Sequence, residues 1–164
     1  MFETLKEFNN IVISGPQRSG TRIAARIVVE DAKKIYIDEK DLNYHDFRLL
    51  EWYLDRGNVV IQCPGLCHLL HRITTSSTLI IMTIRPIEEI LASEVRCWND
   101  QSKLIELYKY GYSNGVISRI KYDFWNNHQK PILNERAREI NYQSLERHPL
   151  FIKDRKNFRW DQTQ

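Results

Sequence analysis

The chain has 164 residues, of which 42% are hydrophobic and 27% charged, and its formal charge is +3. That length suits one domain, residues 1–164, with a core that needs no staples, while so small a charge argues against a nucleic-acid surface and suits a local pocket for a small polyanion. The odd cysteine count (Cys63, Cys67 and Cys97) argues against a disulfide framework and for a reducing cytoplasm; Met1–Asn10 has no apolar signal core, and no stretch approaches the roughly 18 apolar residues of a membrane span.

Short β-branched runs alternate with helical patterns along the first hundred residues. Ile11-Val12-Ile13 reads as a buried strand ending at Gly15, and Ile23, Ala24, Ile27 and Val28 follow at helical spacing. Ile35-Tyr36-Ile37 predicts a second strand, and a helix over about His45–Arg56 is closed by Gly57. Val59-Val60-Ile61 is a third strand, followed by a short helix carrying Leu66, Leu69 and Leu70. Leu79–Ile84 is the fourth and most apolar strand, and Pro86 opens a helix whose inner face is Ile87, Ile90 and Leu91. Further on, Lys103–Tyr112 and Val116–Asn126 look helical, Glu139–Tyr142 predicts a fifth strand, and the large apolar residues from Phe151 to Trp160 predict a tail packed on the domain. Strands apolar on both faces and alternating with helices mean a three-layer α/β domain of P-loop type, with a parallel sheet of four to five strands between helices. Ligands of such sheets bind at the carboxyl ends of the strands, here Gly15–Thr21, Asp38–Glu39, Gln62–Pro64 and Arg85.

Ser14-Gly15-Pro16-Gln17-Arg18-Ser19-Gly20-Thr21 joins the first strand to the first helix. A helix start offers unpaired N–H groups and partial positive charge, and a small-residue loop lets amides curl round an oxyanion. Gly15, Gln17, Arg18, Ser19, Gly20, Thr21 and Arg22 are therefore the candidate nucleotide-binding residues on this side. The two glycines have the spacing of a Walker A loop, but Thr21 and Arg22 stand where that loop has Lys and then Ser or Thr. The cation sits at Arg18 instead. A second anchor comes from the fourth strand: Arg85 leaves it at the ligand edge, and Ser93 lies about two turns down the following helix. Taken singly, Arg85 reads as a surface partner of Glu88 or Glu89 and Ser93 as a packing serine; together they can clasp one phosphate.

A basic residue before Ser-Gly-Thr, with Arg85 and Ser93 eight residues apart, resembles the sulfotransferases that use 3′-phosphoadenosine-5′-phosphosulfate (PAPS). The likeness covers roughly Asn10–Trp98 and continues weakly at Asn141-Tyr142-Gln143-Ser144-Leu145; the basic tail Lys153–Arg159 stands where the family has a basic loop reaching the 3′-phosphate. It implies an enzyme moving a sulfuryl group from PAPS to a hydroxyl or amine of a small-molecule or carbohydrate acceptor, with no metal required and no nucleic-acid or membrane partner. The Arg18 loop would hold the 5′ end, and Arg85 with Ser93 the 3′-phosphate. Golgi-type members carry a membrane anchor that this sequence lacks, so the expected location is cytoplasmic.

The pattern departs from the family at two places. Gln62 replaces the lysine after the third strand, leaving Arg18 as the cation at the transfer end, and Pro64 occupies the place of the cytosolic members' histidine base. Other members use a carboxylate after the second strand, which implies Glu39 as general base with Asp38 beside it and His68 as runner-up. Cys63, Cys67, His68 and His71 form a compact set of zinc-ligand types, but a strand end and a short helix do not easily aim all four at one point. Two other functions compete: a P-loop kinase or NTPase, opposed by the missing lysine and by Arg85 where a magnesium-binding Asp is expected, and a nucleotide-binding relic without turnover.

Overall fold

The computed structural model describes residues 1–97 and 115–151, the Cys97 side chain excepted. Five strands, β1 (Asn10–Ser14), β2 (Ile35–Ile37), β3 (Val59–Gln62), β4 (Thr78–Ile84) and β5 (Ala137–Asn141), form one parallel sheet in the order β2-β3-β1-β4-β5. The expectation of a parallel sheet between helices is met. The longer helices among the described residues are α1 (Thr21–Ala32), α2 (Phe47–Arg56), α3 (Ile87–Cys97) and α4 (Val116–Phe124), the last running on through a wider π turn at Trp125–Gln129.

Period-two alternation sends neighbouring residues of the central strand to opposite faces. Val12, Ile61, Ile80 and Met82 face Leu50 and Leu54 of α2, Leu66 and Leu70 after β3, and Trp125. Ile11, Ile13, Val60, Leu79 and Ile81 face Ala24, Ile27 and Val28 of α1, with Leu145 and Phe151. This is why the strands read as unbroken apolar runs: both faces are covered.

Boundaries shift where local chemistry decides them. Helix α2 starts at Phe47, not His45, because the Asp46 carboxylate caps it by accepting from the Arg48 and Leu49 N–H groups. The helix expected to end at Asn126 ends at Phe124, and the fifth strand begins two residues early, at Ala137, and stops at Asn141. Tyr142 instead opens the short helix Tyr142–Leu145, capped by the Asn141 side chain. Phe151 is buried against the α1 face of the sheet, as the tail reading expects. The proposed helix Lys103–Tyr112 and the tail beyond Phe151, including Lys153–Arg159, lie outside the described residues. Among the described residues, no helix is long and apolar enough to cross a membrane.

Candidate functional site

The carboxyl ends of β1, β3 and β4 open onto a cavity of about 730 Å³, within the usual size for small-ligand sites. Its lining includes Gln17, Arg18, Gly20, Thr21 and Arg22 from the loop and the start of α1, Gln62 from β3, and Arg85 and Ser93 from the β4 side. The start of α1 is an open amide end. Its N-cap is Gly20, which has no side chain to cap it, so the first N–H groups lack intrahelical partners.

The loop holds its shape through contacts to β3 and β4. Ser14 Oγ donates to the Cys63 carbonyl at 2.8 Å. Ser19 Oγ donates to the Pro16 carbonyl at 2.7 Å and lies 2.6 Å from the Thr83 hydroxyl. A Cβ on Gly15 would overlap both the Ser19 and Thr83 hydroxyls, so only glycine fits there. Gly20 takes φ +94° with the Tyr142 ring against it, and Arg18 itself stands at φ +66°. Gly15 and Ser19 were expected among the nucleotide-binding residues. They are not in the cavity lining, because one packs under the loop and the other spends its hydroxyl inside it.

Arg18 and Arg85 meet. Arg85 Nη1 donates to the Arg18 carbonyl at 3.0 Å, and Arg18 Nε donates to Ser93 Oγ at 3.1 Å. Glu89 accepts from Arg85 Nε at 3.1 Å and is itself held by Gln143 Nε2 at 3.2 Å. The Arg85 guanidinium also lies 3.9 Å from the centroid of the Tyr142 ring. The Arg85–Glu89 pair foreseen for a surface arginine thus coexists with a cavity position. Beneath it, the Tyr122 hydroxyl accepts from the Arg85 N–H at 3.0 Å and donates to the Thr83 carbonyl at 3.1 Å, and burial pushes its pKa up to about 12.

The opposite wall is built at the ends of β2 and β3. Gln62, 2% exposed, donates to Thr21 Oγ1 at 2.9 Å and accepts from the Glu39 N–H at 3.4 Å. Glu39 lines the cavity and is 8% exposed. Burial raises its pKa above the ordinary carboxylate value, against the pull of Arg22, whose Nη2 lies 3.5 Å from Glu39 Oε1. Asp38 does not line the cavity. Its oxygens accept from Tyr36 Oη at 2.7 Å and from the Lys40 N–H at 3.2 Å, capping the turn Glu39–Leu42.

His68 is exposed on the 3-10 helix Pro64–Arg72, whose buried face is Leu66, Cys67 and Leu70, and is absent from the cavity lining. Cys63 and Cys67 are buried free thiols, and His71 stands 3.3 Å from Gln129 Oε1. No group of three or more His, Cys, Asp or Glu among the described residues is placed to hold a metal. The sequence reading missed Arg96, Glu146 and the partnership of Tyr142 with Arg85. The first two line the cavity; Arg96 follows Ser93 at helical spacing, a weak signal that was present, and no such signal marks Glu146.

No family model matches the sequence, and no curated protein matches it. Solved structures do match. Among them is shikimate kinase from Acinetobacter baumannii in complex with shikimate, with a TM-score of 0.57 and 15% identity over 100% of both chains. The likeness establishes the P-loop type of fold.

Proposed function

We propose that the cavity binds PAPS and that the protein transfers its sulfuryl group to a hydroxyl or amine of a small acceptor. The observation that carries this reading is the meeting of Arg18, Arg85 and Ser93 on one cavity beside the open amides of α1. Arginine forks suit phosphate and sulfate oxygens, and a ligand anionic at both ends accounts for two of them at one place. Arg18 and the α1 amides would take the 5′ end, and Arg85 with Ser93 the 3′-phosphate. PAPS would supply an activated sulfuryl group: a bond forms from sulfur to the acceptor oxygen or nitrogen, the bond from sulfur to the bridging oxygen breaks, adenosine 3′,5′-bisphosphate leaves with that oxygen, and the acceptor gives up its proton. Glu39, a buried carboxylate in the lining, would take that proton.

A second reading is phosphoryl transfer, favoured by the fold shared with a shikimate kinase. The donor set weighs against it. Magnesium-dependent P-loop transfer calls for a loop lysine, a hydroxyl after it and an Asp from a strand end. Thr21, Arg22 and Arg85 hold those places here.

Calorimetry separates the two. Adenosine 3′,5′-bisphosphate is expected to bind at least about tenfold more tightly than AMP, the value of one added charged contact, and ATP with magnesium no better than AMP. Tight magnesium–ATP binding with no preference for the bisphosphate would overturn the sulfuryl reading. Bisphosphate binding without transfer to any acceptor would leave a nucleotide-binding protein that lacks turnover.

A further inference from the structure

The cation expected at the end of β3 is missing, since Gln62 stands there, but the cavity has another one within reach of the same place. Arg22 is the second residue of α1 and lines the cavity beside Thr21 and Gln62. A positive side chain in the first turn of a helix opposes the helix dipole, so this position needs a local reason. Two carboxylates give part of it: Arg22 Nη2 lies 3.5 Å from Glu39 Oε1, and Nε lies 3.6 Å from Asp38 Oδ2. These contacts leave the guanidinium under-used. Its Nε is buried with no hydrogen-bond partner, and an arginine fork holds five donors. Buried donors in native structures are normally matched.

We propose that Arg22 supplies the fixed positive charge that the β3 residue lacks, and that Gln62 is its positioning residue. Gln62 bonds the Thr21 hydroxyl on one side and the Glu39 N–H on the other. It therefore ties the first turn of α1 to the carboxylate that faces Arg22, and sets the arginine at the 5′ end of the nucleotide. The charge that a lysine on β3 would bring arrives instead from the neighbouring helix. A lysine in place of Gln62 would stand beside Arg22 and repeat its charge. The inference rests on the nucleotide reading given above and goes further by naming which group neutralises the anion where the transferred group departs.

A double-variant cycle tests it, read by calorimetry with adenosine 3′,5′-bisphosphate on the full chain, with Tm recorded for each variant. Arg22→Gln is expected to weaken binding by about tenfold. Gln62→Ala, which removes the tie to Thr21 and Glu39, is expected to weaken binding several-fold in the parent and to add little in the Arg22→Gln background, whereas Gln62→Lys in the Arg22→Gln background is expected to restore most of the loss. If Arg22→Gln folds and binds like the parent, Arg22 is outside the anion site and the inference fails. It fails equally if Gln62→Lys alone tightens binding by about tenfold, since the charge would then have been absent; this arm needs no change at Arg22 and stands even if Arg22→Gln does not fold. Failure of the parent to prefer the bisphosphate over AMP is a different result. That outcome overturns the functional reading itself.

Discussion

The two walls of the cavity are built to different tolerances. On the β4 side, Arg85 to Arg18, Arg18 to Ser93, Arg85 to Glu89 and Tyr122 to Thr83 all lie at 3.0–3.1 Å and interlock through shared residues. On the β2–β3 side Gln62 to Thr21 is short, at 2.9 Å, but the contacts made by Arg22 and the Glu39 N–H are long: Glu39 to Gln62, Arg22 to Glu39 and Arg22 to Asp38 lie at 3.4–3.6 Å. A network satisfied within the protein is fixed before any ligand arrives, and a loosely matched one keeps donors available. The contrast fits a site whose β4 wall grips a constant part of the ligand and whose β2–β3 wall meets the part that changes during reaction.

The sharpest way to break the first wall is Tyr122→Phe. Removing that hydroxyl strands the part-buried Arg85 N–H and takes a donor from the Thr83 carbonyl. An unsatisfied buried group costs about 1–3 kcal/mol. The expected result is a lowered Tm together with weaker binding of adenosine 3′,5′-bisphosphate, because Arg85 leaves the strand at that point. Unchanged binding in a variant of lowered Tm would show that the β4 wall holds its arginine without the tyrosine.

That tyrosine also marks the limit of what the sequence reveals. The strands, the loop at Gly15–Thr21 and the presence of Arg85 and Ser93 on the cavity side were legible because each lies within one short stretch, where periodicity and spacing express the backbone directly. Tyr122 serves Arg85 from 37 residues away, and Gln62 reaches Thr21 across 41. No local pattern carries such contacts, so Gln62 registered only as a missing lysine and Tyr142 only as part of a weak likeness. Ser19 misled for the opposite reason. Its place in the loop motif is right, but which way a hydroxyl turns depends on Thr83, supplied by another strand. Asp38 and Glu39 are adjacent and chemically alike, and only the turn that Asp38 caps decides which carboxylate reaches the cavity.

The second wall is sharpened by Glu39→Gln, with a smaller effect on stability and a sign fixed by pH. Burial raises the Glu39 pKa, so the folded chain holds that proton more tightly than the unfolded chain. The resulting stabilisation is complete below the unfolded value of about 4.3 and is lost as pH rises through the folded value. An ionised Glu39 therefore costs stability at neutral pH. Glu39→Gln is expected to raise Tm at pH 7, with the difference narrowing towards pH 4. If Glu39 is the base, the same variant loses sulfuryl transfer at every pH, while transfer by the parent falls as pH drops through the raised pKa. Full transfer by Glu39→Gln would move the base elsewhere on this wall.

The smallest effect is expected at His68, and it decides which wall does the chemistry. Chemically the residue is a competent base: desolvation, Lys121 and His71 all hold its pKa below the ordinary imidazole value, which favours the neutral ring. Position weighs against it, since His68 is exposed and does not line the cavity. A general base must come within hydrogen-bond reach of the proton it takes. Surface substitutions away from special features usually change stability by less than about 0.5 kcal/mol, and His68→Asn should keep both Tm and transfer rate near those of the parent. A fall in rate of roughly a hundredfold or more, the loss expected of a true base, at unchanged Tm would place the reacting proton beside the helix after β3. The β2–β3 wall would then no longer be the side on which the acceptor reacts.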